Sequence, residues 1–164
     1  MKTETPLLYT TFRSGGIRFD VCASKKGIRS ISMNSKAASG KDGAKKAKAD
    51  DPGFFGIAKQ FDEYFSGTLK KFKVPLDPQG TDFQKKVWKE LSKIKYGNLK
   101  SYKDIAVGIG SPNAMRAVGG ANGRNPIPVI VPCHRVINAD GSIGGYSGGA
   151  GIKEKLLKME IENS

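Results

Sequence analysis

The sequence has few residues of the kinds that build metal sites and covalent frameworks. Its 164 residues include one histidine, two cysteines and one tryptophan. The cysteines, Cys22 and Cys133, are too few for a disulfide scaffold, which fits a reducing compartment. Apolar runs of the roughly 18 residues that span a membrane are missing, as are the basic start and apolar centre of a signal peptide. We therefore expect a cytoplasmic protein, nuclear if the source is eukaryotic, without membrane contact.

Acidic residues are scarce relative to basic ones. The chain carries 28 Lys and Arg against 15 Asp and Glu, a net charge of +13. Such an excess attracts polyanions, so nucleic acid is the leading candidate partner. The excess is spread over both halves of the chain, so charge alone does not say which half touches the partner. A solvated basic surface without a specific role stays an alternative.

The chain is long enough for two small domains, and its pattern predicts an α+β fold divided at Pro78, into residues 1–78 and 79–164. In the first half, apolar alternation indicates antiparallel strands at 7–12 and 17–22, and a third strand at 28–33. One face of this sheet needs a cover.

Residues 50–67 are predicted to form the covering helix, because their apolar side chains recur at helical spacing. Residues 72–76 can add a short strand before the domain boundary. The stretch 34–51 is rich in Lys, Ala and Gly, which predicts a surface loop, and we derive no role for it.

The second half reads as helical. A capping-box pattern at Thr81 predicts the start of a helix that runs to Gly97. Ser101 is predicted to cap a shorter helix that ends near Gly108. A third helix is expected from Ser111 to Gly119-Gly120, with Ala114, Met115, Ala117 and Val118 inward and Arg116 in solvent. Two short helices joined by a Gly-containing turn indicate a helix-turn-helix, and Asp140-Gly141 predicts a hairpin wing after it.

The segment 126–137 carries the reactive groups. A short apolar run with three prolines, predicted to be a strand, delivers Cys133 beside His134, the chain's single histidine. A cysteine nucleophile needs a neighbouring base or cation to form its thiolate, and His134 and Arg135 offer one of each. Because cysteine is also a common buried core residue, a structural thiol is the alternative from these residues alone.

Four segments of the second half together resemble the O6-alkylguanine-DNA alkyltransferases. They are Arg116 to Gly120, Asn125-Pro126, Pro132 to Val136 with its proline-cysteine-histidine-arginine core, and Gly145 to Gly149 with Tyr146-Ser147. The resemblance covers the whole second half in order and spacing, whereas the first half matches only in its order of strands and helix. It implies a ribonuclease H-like first domain and a winged helix-turn-helix second domain.

The resemblance implies a role for each matching residue in repairing guanine alkylated at O6. Cys133 accepts the alkyl group, His134 removes its proton, Glu160 orients the imidazole, Asn125 holds the preceding turn and Tyr102 protonates the departing guanine. The base is expected to contact Val136, Tyr146, Ser147 and Pro128. DNA contacts fall to Arg116, which enters the base stack, and to Ser101, Ala117, Gly119, Arg124 and Arg135.

The resemblance further implies that the second helix enters the DNA minor groove and that the damaged base is extruded before reaction. A monomer is expected, and cooperative assembly along DNA is left open. We expect no metal and no cofactor, because the ligands that hold zinc in some family members are missing. A binder of alkylated DNA without transfer, and a hydrolase using Cys133, His134 and Glu160, stay as alternatives; alkyltransferase-like binders lack the cysteine that this chain keeps.

Overall fold

The computed structural model describes residues 7–35, 43–144 and 150–164. The chain forms two compact units, Met1–Gln79 and Gly80–Ser164. The first is a sheet covered by one helix, and the second is mainly helical, which gives the α+β fold predicted from the sequence. Within the described ranges, every helix is too short or too polar to cross a membrane.

The sheet of the first unit has the strand order β3-β2-β1-β4. Strands β1 (Leu8–Ser14), β2 (Ile17–Ser24) and β3 (Gly27–Met33) form the predicted antiparallel meander. Strand β4 (Lys45–Lys46) pairs in parallel with β1, inside the stretch that was expected to be loop. Its two exposed lysines place charge on the sheet edge, which discourages pairing with another chain.

The core of this unit is aromatic. Ile17, Phe19 and Val21 alternate inward from β2 and are at most 2% exposed. The ring of Phe61, on the covering helix α1 (Ile57–Phe65), lies 4.4 Å from that of Phe19 between centroids. Sheet and helix therefore close on each other through stacked and tilted aromatic rings, which fixes the helix over the sheet.

Helix α1 begins later than predicted. Pro52–Phe54 forms a short 3-10 helix, and Phe55 and Gly56 then adopt φ angles of 57° and 73° before α1 starts. This left-handed pair interrupts the helix and lets both Phe54 and Ile57 reach full burial. Periodicity alone did not reveal the break, because the apolar spacing continues across it.

The strand predicted at 72–76 is reduced to a single bridge between Leu76 and Ile28. Ile28 donates its backbone N–H to Pro75 O at 2.9 Å, and Asp77 donates to Ile28 O at 2.8 Å. Pro75 has no N–H to extend the ladder, so pairing stops there.

The second unit contains helices α2 (Asp82–Leu91), α3 (Tyr102–Gly108), α4 (Met115–Gly123) and α5 (Ala150–Glu162). The capping box predicted at Thr81 is present, with Gln84, and the predicted cap at Ser101 also forms a capping box, with Asp104. Strands β5 (Lys100–Ser101) and β6 (Val136–Ile137) pair in parallel. Because Tyr102 follows β5 and Cys133–Arg135 precedes β6, this small sheet brings the two segments together.

Helix α4 differs from the prediction in its ends and its faces. It begins at Met115 and runs through Gly119 and Gly120, because neither glycine takes the positive φ that ends a helix. Of the four residues expected to point inward, Val118 is fully buried, Ala114 is partly exposed, and Met115 and Ala117 are exposed. The α4 backbone is anchored instead at Ala121, whose carbonyl accepts the indole N–H of Trp88 at 2.8 Å.

The turn predicted at Asp140-Gly141 is present, with Asn138 N–H donating to Ser142 O at 3.0 Å. No strand follows it within the described residues 143–144, so the expected hairpin wing is not formed there. The sheet beside the helices is the parallel β5-β6 pair, in which β6 pairs with the chain just before α3.

Candidate active site

A tight turn, and not the predicted strand, leads to Cys133. Asn125 holds it at both ends: Nδ2 donates to Val131 O at 2.8 Å, and Oδ1 accepts from Ile127 N–H at 3.0 Å. Within the turn, Val129 takes a φ of 75°. A β-branched residue in that region is strained by roughly 1–3 kcal/mol, which the surrounding contacts must overcome. The run therefore bends back on itself instead of pairing as a strand.

Cys133 opens a 3-10 helix, Cys133–Arg135, that carries three side chains predicted to be functional into the interior. Cys133 is 2% exposed, His134 0% and Arg135 7%. The Cys133 N–H donates to Val131 O at 2.8 Å, which ties the helix to the preceding turn. The thiol is therefore presented from a fixed backbone.

His134 faces Glu160 on α5. The distance from Nε2 to Glu160 Oε2 is 2.6 Å, and both side chains are buried. An ionised carboxylate only accepts, so the imidazole proton lies on Nε2 and Nδ1 is the basic nitrogen. Glu160 is the residue expected from the sequence to orient His134, and the structure brings the two side chains together.

Arg135 completes the network from the other side of the carboxylate. Its Nε donates to Glu160 Oε1 at 2.7 Å and Nη2 to Oε2 at 3.1 Å, while Nη1 donates to Ile94 O at 2.7 Å. The guanidinium also lies 5.7 Å from the Tyr96 ring centroid. Arg135 was expected to contact DNA, and this prediction is wrong: the residue is buried and is the counterion of Glu160.

The network fixes the charge of its members. Burial alone would raise the pKa of Glu160, but hydrogen bonds from His134 and Arg135, together with their charges, lower it to about 2. Burial lowers the pKa of His134, against the opposing effect of Glu160. We assign the main stabilisation of the carboxylate to Arg135, because its charge is permanent. At neutral pH the site therefore holds an ionised Glu160 and a neutral His134.

Lys153 is a site residue that sequence reasoning missed. It is fully buried on α5, and its Nζ donates to Val136 O at 2.7 Å and to Ile143 O at 2.6 Å. Burial lowers its pKa, while the negative charge of Cys133 raises it. A signal existed: Lys153, Leu156 and Glu160 share one helical face at positions i, i+3 and i+7.

Tyr102 lies half-buried at the start of α3. Burial and the negative charge of Cys133 raise the pKa of its phenol, and a hydrogen bond with Asn122 lowers it. The sensitivity to Cys133 follows from the pairing of β5 with β6, which places the start of α3 beside the cysteine segment.

The predicted DNA-contact residues lie in several environments. Arg116, Ala117 and Arg124 are exposed on α4 or at its end, and Gly119 is partly exposed. The Ser101 hydroxyl is engaged as a helix cap, accepting from Asp104 N–H at 3.1 Å.

Of the predicted base-contact residues, Val136 and Pro128 are buried, and Tyr146 and Ser147 lie outside the described residues. Among the residues that the structure describes, no three His, Cys, Asp or Glu side chains form a group that could hold a metal ion.

Two sequence profiles cover nearly the whole chain. The 6-O-methylguanine DNA methyltransferase ribonuclease-like domain matches residues 7–78, and the DNA binding domain of the same description matches residues 82–162. The chain belongs to this family. As a member of the O6-methylguanine DNA methyltransferases, it is a DNA repair enzyme with a DNA-binding domain that removes methyl groups from alkylated guanine in DNA.

Named relatives support the same assignment. A methylated-DNA–protein-cysteine methyltransferase of Methanosarcina barkeri is 58% identical over 106 residues, 65% of this chain and 67% of its own length. One from Mycobacterium tuberculosis is 56% identical over 111 residues, 67% of each chain. The crystal structure of the M. tuberculosis O6-methylguanine methyltransferase matches with a TM-score of 0.86 and 40% identity over 96% of this chain and 94% of that one.

The depressed pKa of Glu160 predicts a defined loss of stability in acid. Its carboxylate stabilises the folded state fully above the unfolded value of 4.5, and that contribution disappears as the pH falls toward the folded value of about 2. The linked change is on the order of 3 kcal/mol. Denaturant unfolding at a series of pH values should show this slope, and Glu160→Gln should flatten it. Parallel curves for the two proteins would contradict the assignment.

Proposed function

We propose that the methyltransferase uses the Cys133 sulfur as its alkyl acceptor and that each molecule acts once. The observation that carries the proposal is the 2.6 Å hydrogen bond between His134 and the ionised Glu160. His134 directly follows Cys133 in the 3-10 helix, and Glu160 reaches it from α5. A nucleophile, a base and an orienting acid are thereby held in one buried network, the arrangement that activates a weakly nucleophilic group.

The reaction begins with proton removal. His134 is neutral, and with Nε2 donating to Glu160 its Nδ1 takes the Cys133 proton, directly or through one water molecule. Glu160 then stabilises the imidazolium that forms, without taking the proton itself. Lys153 adds a positive charge whose interaction with the thiolate is favourable. These groups raise the thiolate fraction when the substrate is in place.

Transfer is a single displacement. The sulfur forms a bond to the alkyl carbon as the bond from that carbon to O6 breaks, and the electron pair stays on guanine. The Tyr102 hydroxyl supplies the proton that neutralises the departing base, and the imidazolium restores the tyrosine proton. The product is a thioether, which offers no carbonyl for water to attack, so Cys133 is not regenerated. We infer one alkyl group per protein molecule.

The DNA face is α4. Arg116 is exposed near the start of this helix, and Ala117, Gly120 and Gly123 add little side-chain bulk along it. A helix with such a face can approach a groove closely, and minor-groove proteins insert side chains to unstack a base step. We propose that Arg116 fills the stack vacated by the flipped guanine, and that Ser101, Gly119 and Arg124 contact the backbone.

Base contacts fall to groups around the thiol. The Val136 carbonyl oxygen can accept a hydrogen bond from the guanine amino group in addition to the one from Lys153 Nζ, since a carbonyl has two lone pairs. We assign Pro128 to the base-binding pocket because it lies in the turn before Cys133. Tyr146 and Ser147 are assigned to this pocket from the sequence pattern. The fit is to one extruded base, whose unpairing is easier when alkylation has weakened it.

Intact mass tests the acceptor directly. After incubation with a duplex oligonucleotide holding one O6-methylguanine, we expect the protein to gain one methyl mass on Cys133 and no more. The matched Cys133→Ala protein should gain none while still binding the duplex. Binding with unchanged mass in both proteins would make this chain a damage sensor and overturn the transfer proposal.

Arg116→Ala tests the flipping role. We expect this variant to lose far more activity on methylated duplex DNA, by roughly 10²-fold given the few kcal/mol that extrusion requires, than on the free alkylated base. Single-turnover rates on both substrates measure the difference, and Arg124→Ala serves as a basic-residue control with a smaller duplex effect. Equal losses of Arg116→Ala on both substrates would remove Arg116 from base flipping.

A further inference from the structure

Asn122 is a buried polar residue of α4 that takes no part in the proposed reaction steps. It is 7% exposed, on the helix face that also buries Val118 and Ala121. Gly119 lies three residues earlier, so it shares this face. A Cβ placed on Gly119 would lie 4.0 Å from the Tyr102 ring, so this side of α4 faces that tyrosine.

Asn125, three residues after Asn122, is a buried asparagine with a structural role and serves as a comparison. Its amide nitrogen and its carbonyl oxygen both bond to backbone groups, at 2.8 and 3.0 Å. In Asn122, by contrast, Oδ1 is buried and has no hydrogen-bond partner among the residues that the structure describes. Buried polar groups are normally satisfied, and an apolar side chain of the same size would fill the space without this cost.

The amide nitrogen of Asn122 gives a reason for a polar residue at this buried position. The Asn122 side chain lies within hydrogen-bonding reach of Tyr102, and this interaction lowers the pKa of the phenol, which burial and a negative charge on Cys133 raise. Because Oδ1 has no partner among the described residues, the interaction with Tyr102 is made by the amide nitrogen Nδ2, which can only donate a hydrogen bond to the phenolic oxygen. The hydroxyl proton is then left to point elsewhere.

We propose that Asn122 is a positioning residue that directs the Tyr102 proton toward the departing guanine and stabilises the phenolate that forms when the proton leaves. The inference rests on the proposed function, because it acts through the proton donor assigned there. A good general acid must give up its proton in the transition state, and a donor hydrogen bond on its oxygen develops strength at that moment.

Asn122→Leu removes the donor at nearly constant volume. We expect single-turnover methyl transfer to slow by about tenfold, the size of one hydrogen bond that strengthens in the transition state. The effect should vanish in a Tyr102→Phe background, because the group through which Asn122 acts is then gone. In parallel, NMR titration of ¹³C-labelled tyrosine should show the Tyr102 pKa rising in Asn122→Leu.

Asn98→Leu, the same exchange at an exposed position, is the control and should leave rate and titration unchanged. Circular dichroism checks that Asn122→Leu folds. If it does not fold, Asn122→Asp carries the test: its carboxylate accepts the hydroxyl proton, so it should raise the Tyr102 pKa and slow transfer.

An unchanged transfer rate in Asn122→Leu would overturn the inference, as would equal slowing with and without the Tyr102 hydroxyl. In either case, methyl transfer to Cys133 in the wild-type protein would leave the proposed function intact. Wild-type protein that never gains a methyl group on Cys133 would overturn both.

Discussion

The site depends on one buried carboxylate that stays ionised. Glu160 is 1% exposed, and an unpaired charge at that depth would be neutralised by protonation. Two side chains prevent this: Arg135 binds both carboxylate oxygens, and His134 donates to one of them. Arg135 supplies a permanent charge, so His134 can remain neutral, as the base role proposed for it requires. Without Arg135 the same carboxylate would compete for the imidazole proton.

The fold serves this network by bringing together segments that are distant in sequence. A strained turn, held by hydrogen bonds to Asn125, directs the side chains of Cys133–Arg135 inward. Helix α5 contributes Glu160 and Lys153. The parallel pairing of β5 and β6 adds Tyr102 from the start of α3. Strain at Val129 is tolerated because both ends of the turn are held by hydrogen bonds, so the thiol is positioned before any substrate arrives.

Sequence patterns predicted the elements better than the roles inside the site. The alternation in β2 and the capping boxes at Thr81 and Ser101 are local signals, and the structure confirms them. Burial of Arg135 and Lys153 was not predicted, because basic residues are usually exposed and their partners lie far along the chain. Arg135 bonds to Glu160, 25 residues away, and Lys153 bonds to Val136, 17 residues away. Such pairings depend on tertiary packing, which spacing does not encode.

We propose that Glu160, acting through His134, activates Cys133. The decisive measurement is single-turnover methyl transfer from O6-methylguanine to the Glu160→Gln protein, with Glu162→Gln as the control. Glu162 is exposed two residues further on, so the same exchange there changes charge without touching the network. We expect a loss of at least about 10²-fold for Glu160→Gln, the contribution of a general base, and a normal rate for Glu162→Gln. Equal rates for the two variants would contradict it.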